Sequence, residues 1–442
     1  MKWIKYSFVA LIVVISACWW LAEPGPRGAY TFFALRSVLV NYTGVLGIAV
    51  MSVAMLLALR PRLPESRLGG LDKMYRLHKW LGIAGFVLAL SHWLWVKAPK
   101  WMVGWGWLTR PARKPPTASL DPWLQLLQSQ RGLAKSLGEW AFYALVALLL
   151  VALIKRFPYR HSFKLHRLMP VVYLLLVFHS FILIPMVYWR GIIGPLLAVL
   201  MLAGSVAAVR SLIGGVGRGR RVTARVLSAE QQSTNQVLEL EIQLDANWPG
   251  HQAGQFAFLR FAHDPEAHPF TIASAWQGDG RMAFMIKASG DFTRQLATRL
   301  QPGSELQVEG PYGRFDFASE KPRQIWVAGG VGITPFIARM QALAHGGEGK
   351  PIDLFYSARA LPEQTRLQLK YLARSARVRL HLLRSGVDPR LDSARICAAV
   401  PEWNHADLWF CGPNEFGQAL RRDMRGQGMH ARDFHQELFE MR

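Results

Sequence analysis

Two stretches of equal length decide the fold: LHKWLGIAGFVLALSH at residues 77–92 and LHRLMPVVYLLLVFHS at residues 165–180. Each is an apolar run of spanning-helix character carrying two histidines, His78 and His92 on the first, His166 and His179 on the second. At about 1.5 Å of rise per residue, the imidazoles of each pair lie about 20 Å apart along their helix. A lone histidine in an apolar helix is ordinarily a hydrogen-bonded interior residue. The repeat of the spacing on two helices that run the same way argues for more, because it sets His78 opposite His166 and His92 opposite His179. Each pair can clamp one haem iron from both faces, and bis-histidine ligation closes both axial positions, which suits electron transfer better than gas binding. Fourteen residues make about 3.9 turns but thirteen only about 3.6. Pro170, four residues after His166, leaves the His166 carbonyl without a helical donor and is expected to kink the second helix and absorb the difference.

Outward from these stretches, six apolar segments of about the length a bilayer demands stand out, near 3–21, 37–59, 75–96, 137–154, 165–188 and 192–212. The chain has 442 residues, 51% of them apolar and 18% charged, and the long uncharged runs crowd its first half. The first segment reads as an uncleaved helix, since Cys18-Trp19-Trp20-Leu21 is a poor cleavage site and aromatic pairs suit the headgroup belt. The formal charge of +23 sits in loops flanking the apolar runs, at Arg60, Arg62, Arg67, Lys73, Arg76 and Lys79 among others, where it meets anionic headgroups. Lipid, not nucleic acid, is therefore the expected polyanionic partner. Basic loops at 60–73, at 155–164 and after Arg210 point inward, while the Lys97–Leu137 loop, also basic, lies outside. Three cysteines, Cys18, Cys397 and Cys411, support neither a disulfide framework nor a thiolate zinc site. No acidic loop of the calcium-binding helix-loop-helix pattern is present.

The paired histidines and the six-helix layout resemble the transmembrane domain of the ferric reductase and NADPH oxidase superfamily, in a bacterial-type member. After Gly214-Gly215-Val216-Gly217 the chain turns to short alternating strands at 221–227, 237–244, 255–261 and 281–287, for which an antiparallel barrel is the natural closure. His268-Pro269-Phe270-Thr271, then Lys287, Gly290-Asp291-Phe292-Thr293 and Gly310-Pro311-Tyr312-Gly313 follow in an order that resembles the FAD barrel of the ferredoxin-NADP reductase superfamily. That resemblance implies Phe270 near the isoalloxazine, Thr271 near the flavin N5, and His268 with Pro269 towards the pyrophosphate. It makes Gly290, Asp291, Phe292 and Thr293 an anion-binding helix start, with charge from Lys287.

The remainder alternates strand and helix, which implies a parallel sheet. Gly330-Val331-Gly332-Ile333-Thr334-Pro335 joins the first of these strands to its helix, where a nucleotide pyrophosphate can sit on the helix N-terminus. Tyr356-Ser357-Ala358-Arg359 ends a later strand, and Arg359 can pair with a 2′-phosphate, favouring NADPH over NADH. By the superfamily resemblance, Cys411-Gly412-Pro413 lies near the nicotinamide, and Glu437-Leu438-Phe439 brings an aromatic onto the flavin. Thr271, Cys411, Glu437 and Phe439 would then surround hydride transfer. Three residues, Glu440-Met441-Arg442, extend beyond that aromatic, a departure from the superfamily pattern.

The expected architecture is a six-helix bis-haem domain (1–215), an FAD-binding β-barrel (216–320) and a Rossmann-like NAD(P)H domain (321–442). The expected cofactors are FAD, two b-type haems and NADPH or NADH, in a bacterial inner membrane with both soluble domains cytoplasmic. Electrons would leave for a small outer acceptor, dioxygen or ferric chelate, or for an extracytoplasmic redox partner docked at the loop bearing Trp101, Trp105 and Trp107. Arg36 is placed to meet a haem propionate or attract an anionic acceptor. Animal oxidases of the superfamily carry a further histidine where this chain has Val96. A haem protein without turnover is the remaining alternative.

Overall fold

The computed structural model describes residues 2–25, 31–61, 68–109, 122–154, 164–232, 236–245, 247–262, 264, 266–346 and 349–437. It divides into two compact units, Met1–Val216 and Gly217–Arg442.

The first unit is helical: α1 (Lys2–Ala22), α2 (Phe32–Ala58), α3 (Leu71–Gly104), α4 (Pro122–Ser129), α5 (Arg131–Leu153), α6 (Met169–Leu183), α7 (Met186–Arg190) and α8 (Ile193–Leu212). Six helical stretches are long and apolar enough to cross a bilayer, the fifth running from Lys164 to Leu183. The chain is an integral membrane protein. Its exposed Leu, Val and Trp side chains, such as Leu202, Val199 and Trp140, are what a helix bundle presents to lipid. Helix α2 lies at the centre, with Leu46, Ile48, Ala49 and Val50 buried. Close approach is permitted by small residues, because a Cβ at Gly204 of α8 would overlap the Tyr173 hydroxyl. That hydroxyl meets Ser52 of α2 at 2.8 Å.

Several boundaries differ from the sequence reading, and two of the differences fall on the helices that carry the histidines. Helix α3 continues eight residues past Val96 and passes through Pro99. Proline leaves the carbonyl four residues earlier without a donor, and Arg36 Nε supplies one, donating to the Trp95 carbonyl at 2.9 Å. The segment 97–137 is thus largely helical among its described residues, with α4 and the first turns of α5 at its far end; residues 110–121 lie outside those described. At Pro170 the expected kink is a break: Lys164–His166 is helical, Arg167 and Leu168 form a turn, and α6 starts afresh with Pro170 in its first turn.

In the second unit, β1 (Arg221–Gln232), β2 (Val237–Leu244), β3 (Phe256–Phe261), β4 (His268–Thr271), β5 (Arg281–Lys287) and β6 (Glu305–Tyr312) form an antiparallel sheet ordered β4-β3-β6-β1-β2-β5. A bridge from Ile272 to Phe284 closes it into a barrel. Along β5 burial alternates, with Met282, Phe284 and Ile286 inside, as a strand with one wet face requires. Helix α9 (Asp291–Arg299) follows β5.

The parallel sheet has β7 (Arg323–Gly329), β8 (Ile352–Ala358), β9 (Val378–Arg384), β10 (Ala406–Cys411) and β11 (Phe434–Gln436), ordered β11-β10-β7-β8-β9. Helices α10 (Thr334–Ala344), α11 (Glu363–Ser375), α12 (Ser393–Ala399) and α13 (Asn414–Gly426) cover it. Covered on both faces, β10 is buried at every position. Each fully buried Leu or Val there, such as Leu354 or Val327, contributes roughly 1.5–3 kcal/mol. From β7 the chain runs to β8 on one side, while β10 lies on the other. The strand order therefore reverses between β7 and β10, the place where α/β sheets hold ligands.

Candidate cofactor sites

The four histidines meet as two pairs. His78 and His166 have ring centroids 6.2 Å apart at 78°, and His92 and His179 have theirs 6.2 Å apart at 83°. With metal–imidazole bonds of about 2 Å and the ring centre about 1 Å behind the ligating nitrogen, two trans imidazoles have centroids roughly 6 Å apart.

Their outer nitrogens are fixed by the neighbouring helices. His78 Nδ1 lies 2.9 Å from the Ala54 carbonyl, His92 Nδ1 3.0 Å from Val40, and His179 Nδ1 2.8 Å from Ala134. A carbonyl only accepts, so each Nδ1 carries the proton and each Nε2 keeps its lone pair for a ligand, the arrangement metal-bound histidines adopt. Thr43 reinforces His92, its Oγ1 donating to the Leu39 carbonyl and lying 3.3 Å from Nδ1. His166 differs: its buried Nδ1 has no partner among the described residues, and residues 155–163, which lead into its helix, lie outside them.

The rings are admitted by glycines that the sequence reading missed. A Cβ at Gly138 of α5 would overlap the His179 ring, and one at Gly44 of α2 would stand 3.3 Å from His92 Cε1. Gly82, one turn beyond His78, has open space where its Cβ would be. The nitrogen donors fit a haem iron at each pair, with the tautomer fixed at three of the four histidines. The signal was in the sequence, as glycines inside apolar helices, but only the structure says which ring each one faces. Arg36 lies one turn before Val40, and its Nε serves the Trp95 carbonyl, so part of its donor capacity is already committed to the helix that carries His92.

In the second unit the flavin and nucleotide motifs converge. Thr271 ends β4, buried and paired with Phe256, which pairs in turn with Tyr312 of β6. Beside Tyr312, Gly313 (φ +101°) brings the backbone close to Phe256 and Glu437: a Cβ there would lie 3.1 Å from the Phe256 ring and 3.3 Å from Glu437 Oε1. Cys411 is buried at the end of β10, and burial first, then the Glu437 carboxylate, push its thiol well above the usual range. It is held as a neutral thiol. Thr271, Glu437 and Cys411 thus gather around one site; Phe439 lies outside the described residues.

Other motif residues serve structure as well. His268 stacks on Phe292 at 3.8 Å and 9°, with Nε2 3.2 Å from Asp264 Oδ2. Pro269 and Phe270 lie on β4, and Phe270 packs against the barrel core. Lys287 ends β5, exposed. At the α9 start, Thr293 Oγ1 accepts from the Ser289 and Gly290 N–H groups, both at 3.0 Å. The Gly290 N–H is thus spent on the cap, and the expected anion site at this turn is left with the amides of Asp291, Phe292 and Thr293 in the first turn of α9; the Asp291 side chain lies outside those described. The Gly330–Pro335 loop and the Cys411–Pro413 turn pack against each other at the reversal between β7 and β10, since a Cβ at Gly332 would overlap the Cys411 carbonyl. Thr334 Oγ1 donates 2.6 Å to the Val331 carbonyl, and Pro335 sits in the first turn of α10. Ser357 and Arg359 stand at the end of β8, next to β7, with Arg359 exposed.

Comparison with known proteins agrees with this division. Residues 43–177 match the ferric reductase like transmembrane component, and residues 221–322 match an FAD-binding domain. Among curated relatives, the glycine betaine monooxygenase reductase subunit of Chromohalobacter salexigens is 26% identical over 205 residues, covering 42% of this chain and 55% of that protein. The ferredoxin–NAD(+) reductase component of the alkene monooxygenase system of Xanthobacter autotrophicus is 29% identical over 211 residues, covering 44% and 62%. The chain thus spans little more than half the length of these relatives. Among solved structures, the ferredoxin reductase of carbazole 1,9a-dioxygenase aligns at a TM-score of 0.42 and 20% identity, over 50% of this chain and 69% of that one. The two family matches together cover more than half of the chain, and they make it a membrane-embedded fusion of the ferric reductase and NADPH oxidase type, a ferric reductase-like transmembrane component joined to an FAD-binding module.

Proposed function

We propose that the protein carries electrons across the bilayer from NAD(P)H to an acceptor on the far side, using FAD and two b-type haems. The observation that supports this reading most is the pair of imidazole pairs, each with rings 6.2 Å apart. Their outer nitrogens are fixed by backbone carbonyls at three of four positions. FAD, when bound, supplies the conversion of a two-electron hydride into single electrons, and haem supplies one-electron relay.

The chain's own residues position these groups. His78 with His166 and His92 with His179 would each hold one haem, the first pair at the end of the bundle from which α8 leads into the second unit. The turns at Gly330–Pro335 and Cys411–Pro413 receive the nucleotide, with Arg359 as the 2′-phosphate contact that favours NADPH. Thr271, Cys411, Glu437 and Phe439 surround the hydride path, and the neutral Cys411 thiol adds no charge there. His268, Pro269, Phe270, Lys287 and the 290–293 turn hold FAD. The nucleotide-binding unit lies on the cytoplasmic side of a bacterial inner membrane, where NAD(P)H is found.

The acceptor would be a small one, dioxygen or a ferric chelate, because two histidines committed to each haem would leave its iron no open position for a ligand. A second reading is an electron-supply subunit for an extracytoplasmic redox partner. It is favoured by the exposed Trp101, Trp105, Trp107 and Trp123, and by relatives named as reductase components of oxygenase systems.

The test is to reduce the purified full-length protein anaerobically with NADPH and follow haem absorbance as acceptor is added. Rapid reoxidation by oxygen or ferric citrate supports the small-acceptor reading. Slow reoxidation by both, relieved by a periplasmic extract, supports the partner reading. Failure of NADPH to reduce any haem overturns the function.

A further inference from the structure

A cleft of about 750 Å³ opens beside α10, at the opposite end of that helix from the Gly330–Pro335 loop. Its walls come from the β2–β3 and β4–β5 loops of the barrel, from the segment after β6 and from α10. None of the residues assigned above to flavin, nucleotide or hydride transfer lines it.

The polar atoms of this cleft are mismatched with the protein around them. His251 is 8% exposed, and its Nε2–H donates to the Ser274 carbonyl at 3.0 Å, so Nδ1 carries a lone pair. That Nδ1 is buried and has no partner among the described residues, and neither has the buried Nε–H of Arg339. Burial lowers the His251 pKa, keeping the ring neutral and Nδ1 an acceptor. Arg314 adds an exposed guanidinium. The one carboxylate in the lining, Asp316, accepts from the Ala318 N–H at 3.1 Å. The half-buried Trp276 indole lies 5.4 Å from the His251 ring.

We propose that this cleft is an effector site for a small organic phosphate bearing a planar base, in the manner of a nucleoside monophosphate. Its phosphate sits on Arg314 and Arg339, and its base lies against Trp276. Guanidinium matches phosphate oxygens in geometry and charge. The volume falls within the roughly 300–1,000 Å³ of small-molecule sites.

The site is wired to the nucleotide loop through α10. Gln341 Oε1 accepts from the Ala275 N–H at 2.9 Å, and His345 Nε2 lies 3.3 Å from the Gln277 amide, so this end of the helix is pinned to the barrel. An occupant held by Arg339 biases the same helix whose first turn carries Thr334 and Pro335. Linkage then requires effector and NADPH to change each other's affinity by the same factor. The inference does not depend on the haem assignment.

The test is calorimetric titration of FAD-loaded full-length protein in detergent, with AMP and inorganic phosphate as probes. AMP is expected to bind saturably and phosphate to compete with it. Arg314→Gln and Arg339→Gln should each weaken AMP about tenfold, the loss of a hydrogen bond to a charged group. A misfolded Arg339→Gln shows itself by lost FAD, and the exposed Arg314 then carries the test alone. No saturable binding of either probe overturns the proposal. So does wild-type affinity in the Arg314 variant, or AMP binding that NADP+ displaces competitively, since that places AMP in the dinucleotide site.

Discussion

Under the proposed function the two units would hold their cofactors by opposite means. In the membrane unit the proposed ligands are all side chains, and the backbone near them serves to orient: Ala54, Val40 and Ala134 offer carbonyls to the Nδ1 atoms of His78, His92 and His179. In the second unit the proposed binding surface is backbone, at strand ends where glycines bring two turns into contact. The difference follows from solvent. In hydrocarbon, helices must consume their own N–H and C=O groups, so only side chains remain to hold a ligand. At the carboxyl ends of a parallel sheet, amides are left over for phosphate. Glycine therefore has two jobs, making room for a ring in one unit and for a neighbouring backbone in the other.

That contrast can be broken at single glycines. The largest effect is expected at Gly138→Ala, whose Cβ would overlap the His179 ring: the variant should lose the His92/His179 haem while keeping FAD. Gly132→Ala, with open space at its Cβ, should keep both haems. Optical haem quantification decides it, and full haem content in Gly138→Ala would show that the ring does not need the space.

The second expectation sets clash against strain. Gly332→Ala puts a methyl into the Cys411 carbonyl and should weaken NADPH binding by more than tenfold, about 1.4 kcal/mol or more. Gly330→Ala meets no atom but must hold φ +57°, costing only about 1 kcal/mol of stability. Equal effects on NADPH affinity would mean that the two turns do not pack as described.

Arg359→Ala should weaken NADPH about tenfold and leave NADH nearly unchanged, as the loss of one charge-assisted phosphate contact predicts. Steady-state comparison of the two nucleotides reads this, and equal losses would count against a 2′-phosphate contact.

The smallest effect concerns Cys411. Its folded pKa is raised well above 9.0, the value expected for an exposed thiol. The native state holds the proton that the unfolded thiol loses, so this contribution is complete below about pH 9 and is lost as pH rises beyond it. Cys411→Ala should flatten that alkaline fall in the temperature of FAD release, measured by flavin fluorescence. An unchanged slope would place the titration elsewhere.

Much of this was readable in the sequence, and the exceptions have physical reasons. The histidine spacing and the six apolar runs survive because a bilayer imposes one length and one composition. The continuation of α3 past Val96 was hidden by Lys97, Pro99 and Lys100, which look like a loop but follow a helix into the headgroup layer, with Arg36 repairing the carbonyl that Pro99 leaves open. The strand at His268–Thr271 was masked by Pro269, which sits at the edge of the ordered sheet, where a missing N–H is tolerated. The alternation of strand and helix in the last part of the chain was legible, and the parallel sheet it implied is the one found. The partnerships Gly138–His179 and Gly332–Cys411 were not, because each joins residues far apart in sequence whose proximity only the packed chain creates. The same holds for the cleft built by His251, Trp276 and Arg339.

The account rests on two haems held by four histidines. Pyridine haemochrome quantification against FAD, on wild type and on His78→Ala, His92→Ala, His166→Ala and His179→Ala, tests it most directly. The account predicts two b-type haems per FAD in wild type, with low-spin spectra. His78→Ala and His166→Ala should lose the same haem, and His92→Ala and His179→Ala the other. Two haems per FAD retained in all four variants would contradict it.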